Sequence, residues 1–343
     1  MADPSFSLLF QLPNDAVKNV VECMDPPDII GFSLISNKSA LIVKSLNCKA
    51  EPFRVEVTSK VDVIVSFKMD GYYRFRFYES ERLYFGEVST QPPKDLYPPG
   101  YMKLFWSMDE IGTFEKKNFT MRDWMDHICK IFNQPKINSL EYKPKVFSAQ
   151  SVKETFPKLY QLSIECSNEE YERMMKIFNY SESIRVVRRN INHNNELGII
   201  PKIFIQHFER AETMANLKIS LDNLLICNTQ LLTIGELYMT NRGFNTFLKC
   251  WMKGACPNLK HVDIRVYTEK ALDLDIVWKG IKRQNAPDNR RNTCGTCEHR
   301  DFLAFDGGVD IKRYDGTVAT IFMQFHQPLR FFGDCDLKML VQH

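Results

Sequence analysis

The chain is poor in the signatures of bond-making chemistry. It has 15 glycines in 343 residues, and only Gly307 and Gly308 are neighbours, with no Lys-Ser or Lys-Thr after them. A phosphate-cradling loop needs closely spaced glycines so that backbone N–H groups can approach the ligand, so no nucleotide loop is expected. None of the 7 histidines opens an H-E-x-x-H pair, and there is no G-x-S-x-G elbow. No apolar run approaches the roughly 18 residues of a membrane-spanning helix. Met1-Ala2-Asp3-Pro4 does not begin a basic-then-apolar leader. An excess of one charge is missing too: 45 Lys and Arg against 42 Asp and Glu leave +3. That balance argues against nucleic acid or an anionic membrane as the principal partner. No enzyme, no cofactor and no membrane partner are expected.

The ten cysteines lack a disulfide framework, and without a secretory leader they fit reduced thiols in the cytoplasm or nucleus. Cys294, Cys297 and His299 in "CGTCEH" form the one candidate metal set, because a C-x-x-C turn aims two sulfurs at one point. No second C-x-x-C supplies the remaining ligand, so the expectation is no metal and a mobile, basic, solvated loop over 282–300. Lys282, Arg283, Arg290, Arg291 and Arg300, with Arg185, Arg188 and Arg189, make a candidate basic patch. Arg290 and Arg291 are its candidate contacts for an acidic or phosphorylated client.

Apolar residues, by contrast, are plentiful: 44% of the chain, with 25 Phe and 13 Tyr. The length fits two or three domains. The first strong feature is Leu9 to Asn47. After Pro13-Asn14, apolar residues at Ala16, Val17, Val20, Val21 and Met24 predict one face of a helix. Pro26 and Pro27 are expected to end it, with Asp28 capping a second short helix that bears Ile29, Ile30, Phe32 and Leu34. Ser36 or Asn37 caps a third, with Leu41, Ile42, Val43 and Leu46. About forty residues bury too little surface to be stable alone. The rest of the chain or another protein must cover part of this apolar surface.

Residues 51–87 alternate apolar with polar and predict β-strands, with Asp70-Gly71 at a hairpin turn. Tyr73, Arg74, Phe75, Arg76 and Phe77 fit a half-buried strand with its arginines toward water better than a stacking platform for RNA. Residues 91–100, "QPPKDLYPPG", read as a loop. "TMRDWMDHICKIFNQP" predicts an amphipathic helix capped by Thr120, with Trp124, Ile128, Ile131 and Phe132 on one stripe and a structural His127 beside it. From about 150 a loose apolar-x-x-apolar-x-apolar template recurs at Leu159/Leu162/Ile164, Leu221/Leu224/Ile226, Ile234/Leu237/Met239 and Leu259/Val262/Ile264. The last two units start 25 residues apart, a leucine-rich-repeat length, although the repeat's Asn is missing. Asn241 is expected to cap a helix bearing Phe244, Phe247, Leu248 and Trp251, stopped by Gly254 and Pro257. The acids Asp273 and Asp275, between Leu272, Leu274 and Ile276, read as the wet face of a strand.

Taken together, Leu12-Pro13-Asn14-Asp15, a helix, then Asp28-Ile29-Ile30 and the Ser36-to-Lys38 junction resemble an F-box. The stretch Leu237 to Ile264 resembles the type-2 F-box-associated region of nematode-type F-box proteins, through Thr240-Asn241, Asn245, Phe247-Leu248-Lys249, Trp251, Gly254, Pro257 and Leu259. Trp124, His127 and Ile131-Phe132-Asn133 look like that family's middle segment, and "DIKRYDGTVATI" (Asp310 to Ile321) like its closing hairpin, with Asp315-Gly316 at the turn. The resemblance implies a substrate-receptor subunit of a cullin-based ubiquitin ligase. Leu12, Pro13, Val20, Val21, Ile29, Ile30, Phe32, Leu34 and Val43 would contact the Skp-family adaptor, and through it the cullin core. The C-terminal half would hold an unknown client protein.

The expected architecture is mixed α/β, α+β overall. A three-helix F-box spans 5–48 and a β-rich middle region with one helix spans 51–150. A degenerate leucine-rich-repeat-like α/β region spans 151–330, with the F-box-associated segment at about 210–275. Two other readings stand beside the adaptor: F-box-like helices that only cap the fold of a non-ligase binding protein, and an unrecognised enzyme.

Overall fold

The computed structural model describes residues 9, 11–48, 50–67, 71–79, 94–134, 137–143, 146–157, 159–164, 168–178, 183–186, 205–213, 219–268, 272–292, 305–325 and 333–342. Its contacts divide the chain into two compact units, Met1–Ser163 with Met174–Ser181, and Ile164–Arg173 with Glu182–His343. Three N-terminal helices precede a strand-rich, mixed α/β architecture.

The first unit begins with α1 (Asn14–Glu22), α2 (Pro26–Ser33) and α3 (Asn37–Ser45). Val17 and Val21, one helical turn apart, are the buried pair of α1. The prolines behave differently from expectation. Pro26 and Pro27 open α2 after Asp25, and Asp28 lies inside its first turn. Proline lacks the N–H that the first helical positions cannot use, and its fixed φ suits a helix start, so the pair nucleates α2 rather than merely ending α1. Ser36 caps α3: its hydroxyl accepts from the Ser39 N–H at 3.1 Å, and the Ser39 hydroxyl accepts from the Ser36 N–H at 2.9 Å.

Strands β1 (Phe53–Val57), β2 (Val61–Phe67), β3 (Gly71–Tyr78), β4 (Tyr101–Trp106) and β5 (Asp109–Phe114) form an antiparallel meander. Gly71, opposite Phe67, has φ +84°, a conformation that glycine adopts without a side-chain penalty. Helix α4 (Met121–Ile131) starts at Thr120, whose hydroxyl accepts from the Asp123 N–H. β6 (Ile137–Tyr142) runs parallel to β1, and α5 (Ala149–Thr155) leads to β7 (Leu159–Ile164). The order in this unit is β7-β6-β1-β2-β3-β4-β5. Val55, Val63, Phe75 and Leu104 face one another across four strands and are fully buried. Onto that face α4 lays Trp124, whose ring lies 5.7 Å from that of Phe77. The opposite face carries the arginines of β3. Arg76 binds buried Asp62 through two hydrogen bonds of 2.8 and 2.9 Å, and Arg74 reaches the same carboxylate at 3.4 Å. Both guanidiniums fold down to neutralise one carboxylate, as a half-buried strand requires.

Helix α6 spans Asn168–Ile177. In the second unit, β8 (Ser183–Val186), β9 (Arg210–Thr213), β10 (Leu231–Tyr238) and β11 (His261–Thr268) are parallel neighbours. Helix α7 (Leu221–Leu225) joins β9 to β10, and α8 (Asn241–Met252) joins β10 to β11. After α9 (Leu274–Val277) come β12 (Arg283–Asn285), β13 (Arg291–Asn292), β14 (Phe305–Asp306), β15 (Val309–Lys312), β16 (Val318–Phe325) and β17 (Gly333–Gln342). β13 and β14 pair with each other. The remaining strands extend the sheet in the order β12-β15-β16-β17-β11-β10-β9-β8, with β17 antiparallel to β11. The closing β15–β16 hairpin turns at Asp315-Gly316, where Gly316 has φ +96° and Asp315 accepts from the Thr317 N–H.

Three local expectations change here. Leu221, Leu224 and Ile226 are not a strand of a repeat: Leu221 and Leu224 lie on α7 and Ile226 is its C-cap. The apolar template fits one face of a helix as well as a strand; the interval of 13 residues from Leu221 to Ile234, too short for a strand and a helix before the next strand, arises because Leu221 and Leu224 are themselves helical. The regular leucine-rich-repeat spacing therefore does not run through the region. Thr240, not Asn241, caps α8, its hydroxyl accepting from the Gly243 N–H at 3.0 Å. Asp273 caps α9 by accepting from the N–H groups of Asp275 and Ile276, so the acids sit at a helix start rather than on a strand.

Candidate partner-binding surface on the N-terminal helices

The N-terminal helices are fixed to the first unit by both apolar and polar contacts. α1 and α2 pack on α3, α3 packs on α4, and α2 touches β5. At that last contact Gly31 permits close approach: a Cβ there would meet the Phe114 ring at 3.3 Å. The Lys116 ammonium donates to the Leu34 carbonyl, and the Asn133 amide donates to the Lys44 carbonyl at 2.9 Å. Ser33 donates its hydroxyl proton to the Ile30 carbonyl at 2.7 Å, so its oxygen accepts from Nε2 of His127 at 2.8 Å. His127 is then the neutral Nε2–H tautomer. Burial, with Lys130 and Lys116 nearby, pushes its pKa down to about 4.

The nine residues expected at an adaptor interface fall into two groups. Val21, Ile30, Phe32, Leu34 and Val43 are buried inside the first unit. They close its core and present little surface to a partner. Leu12, Pro13 and Val20 are exposed, Leu12 by 44% and Val20 by 40%, and Ile29 is half-buried. Leu41 on α3, 54% exposed, was not among the nine. Its place between buried Ala40 and Val43, off their stripe, is the signal that marks it as surface. An amphipathic helix folded only for its own core would leave such positions polar.

In the second unit the candidate basic patch is partly consumed by structure. Arg290 binds both oxygens of Asp310 and donates to the Thr320 hydroxyl at 2.9 Å. Burial works against the Asp310 charge, but the bonds from Arg290 and Thr320 outweigh it and hold that carboxyl below its ordinary range. Arg283 lies over the Trp278 ring at 5.0 Å. The backbone of Arg291 lies in β13. Arg188, Arg189 and Arg300 lie outside the described residues, as do Cys294, Cys297 and His299. Among the described residues, Cys23, Cys48, Cys129, Cys227, Cys250, Cys256 and Cys335 are free thiols, and no group of three His, Cys, Asp or Glu is placed to hold a metal. No described helix is long and apolar enough to cross a membrane.

At one end of this unit's sheet, Tyr238 closes β10 and stacks on Tyr267 of β11, ring centroids 5.4 Å apart. Across β17, Phe325 ends β16 opposite Cys335. Tyr238 and Phe325 are exposed.

These features belong to a known class. The F-box domain family matches residues 9–51, the segment that forms α1 to α3. The F-box associated family matches residues 199–264, the segment containing β9, α7, β10, α8 and the first half of β11. The chain thus carries an F-box domain at 9–51 and, after it, a type-2 F-box-associated domain at 199–264. No curated protein and no solved structure matches it.

Proposed function

We propose that the protein is a non-catalytic substrate receptor of a cullin-based ubiquitin ligase, holding a Skp-family adaptor on its F-box and a client protein on its second unit. The reading is carried by the apolar residues Leu12, Val20 and Leu41, left in water on a segment that matches the F-box. Leu12, Pro13, Val20 and Leu41, with Ile29 beside them, form the adaptor contact. Val21, Ile30, Phe32, Leu34 and Val43 support it from beneath. The helices thus cap the first unit and dock the adaptor at once. Aliphatic anchors of this kind dominate interface energetics when they enter desolvated pockets on the partner. The second unit's exposed Tyr238, stacked on Tyr267, supports a client contact, since aromatic side chains are enriched at interface centres. The receptor's contribution is positional: a tethered client meets the transfer module at a high effective concentration. A separate enzyme performs the transfer.

The test is capture of the adaptor and cullin by the full chain and by Leu12→Asp/Val20→Asp. The expected result is loss of both partners with the melting temperature unchanged. Capture that survives the double substitution overturns the adaptor assignment.

A further inference from the structure

We infer that the first unit contains a binding site for a small, neutral aromatic molecule, in the hollow enclosed by α2, α3, the end of α4 and strands β2 to β4. The hollow measures about 220 Å³. Protein interiors pack at crystal density with few voids larger than a water molecule. Here the surrounding core is tight, with Val43, Phe75 and Leu104 all lining the space and all buried. The space is therefore a feature of its own and not part of a loose interior.

Its chemistry limits the occupant. Among the described residues, no charged residue lines it, and the side-chain heteroatoms there are the Tyr73 hydroxyl and the Cys48 thiol. A water needs two to four polar partners, and an apolar cavity of about 150 Å³ stays dry and takes up benzene. A space of this size therefore fits one substituted ring or a fused pair. The walls favour a flat ring in particular. Phe67 meets Tyr73 at 5.8 Å and 82°, Phe67 meets Phe132 at 5.7 Å and 63°, and Phe75 meets Phe132 at 6.1 Å and 74°. These are edge-to-face contacts, and an inserted aromatic ring continues the pattern. Access exists because Pro26 and Cys48, both lining residues, are exposed, and Ile29 is half-buried. Ile29 is shared with the proposed adaptor contact, but Leu12, Val20 and Leu41 do not line the hollow, and the test uses the chain without the adaptor, so its outcome does not depend on the adaptor reading.

The test uses indole and the full-length chain. At ten times its dissociation constant, indole is expected to raise the melting temperature by about 3–5 °C. It is also expected to slow alkylation of Cys48 by N-ethylmaleimide at least roughly threefold by occupancy, read by peptide mass, while exposed Cys23 reacts at an unchanged rate. Leu104→Trp fills the space and abolishes both effects. The Cys48 protection is read on the unmodified chain, so it decides the matter even where that variant fails to fold. Absence of both effects, or an undiminished thermal shift in folded Leu104→Trp, overturns the proposal. Protection of Cys48 by a peptide of the adaptor but not by indole also overturns it, since the occupant is then a protein side chain.

Discussion

In α8 the apolar residues Phe244, Phe247, Leu248 and Trp251 all lie inside the second unit. In α1 and α3, Val17, Val21, Ala40 and Val43 lie inside the first unit, while Val20 and Leu41 stay in water. The local code is shared: an apolar stripe at helical period in all three helices, with a side-chain cap at the start of α3 and α8. The difference is width. The stripe of α8 is as wide as the core it meets, so folding consumes all of it. The N-terminal helices carry apolar residues on the flanks of their buried stripe, and those flanks have no use within the first unit. A surplus of this kind separates a helix that only builds the fold from one that also receives a visitor.

The strongest attack on this contrast is at the fully buried rings. Trp251→Ala and Phe32→Ala each remove a large, fully buried side chain, and each is expected to cost about 3–5 kcal/mol in denaturant unfolding. Trp251 also carries the Arg313 guanidinium 4.8 Å from its ring. The two variants should diverge in binding. Folded Trp251→Ala keeps adaptor affinity, whereas Phe32→Ala loses it with the helices that Phe32 supports. Equal adaptor loss in both would mean that the surplus on α1 and α3 has no special role.

The next contrast is between half-buried His127 in the first unit and buried His261 in the second. Burial, with Lys130 and Lys116 nearby for His127 and Lys338 and Arg210 for His261, pushes both down to about 4. An unfolded histidine titrates near 6.5, so as pH falls the unfolded chain takes up these protons first. The stabilising contribution is complete above about 6.5, declines as pH drops through 4, and is constant below. Each histidine should account for a loss on the order of 3 kcal/mol by pH 4. His127→Phe and His261→Phe, measured by urea unfolding from pH 7 to 4, should each flatten the slope. His127 keeps its bond to Ser33 while His261 Nε2 has no partner among the described residues, so at pH 7 the His261 replacement should be the better tolerated.

Much of this was legible beforehand, and the misses have physical causes. Strands β1 to β3, the Thr120 cap and the apolar face of α8 follow from period and capping chemistry, which act within a few residues, whereas β4, β5 and β6 were not read from the sequence. The position of Pro26-Pro27 was ambiguous because proline both stops one helix and suits the start of the next. Leu221, Leu224 and Ile226 satisfy both a strand template and a helix face, and only the chain length between neighbours decides. For the interface, sequence could name apolar residues but not divide them. Val20 and Val21 are adjacent and chemically identical, yet one is exposed and the other fully buried. That division depends on how α1 packs on α3, which the period of α1 alone does not specify.

Val20 and Val21 accordingly give the sharpest form of the contrast. Val21→Ala should cost about 1–3 kcal/mol of stability, as removal of two buried methyl groups does. Val20→Ala should leave stability within about 0.5 kcal/mol, as surface changes do. Val20→Asp should weaken the adaptor by roughly 10- to 30-fold, about 2 kcal/mol, by placing a charge in a desolvated contact. Calorimetric titration of the adaptor beside thermal unfolding separates the two effects. If Val20→Asp binds normally, the exposed flank is not the docking surface.

The smallest expected effect concerns how α8 begins. Thr240 and Asn241 are both good capping types, and only the hydroxyl of Thr240 is placed to accept from the Gly243 N–H. Thr240→Ala should cost about 1 kcal/mol, because it leaves an N–H of the first turn without its acceptor. Asn241→Ala should cost less or even stabilise slightly, since Asn241 is already inside the helix, where alanine is the better former. The Asn241 side-chain oxygen is buried without a partner among the described residues, which adds to the same expectation. The sign of the difference between the two variants reads the helix start directly. A larger loss at Asn241 would move the start by one residue and rotate the stripe of Phe244, Phe247, Leu248 and Trp251 relative to its cap, weakening the comparison between α8 and the N-terminal helices.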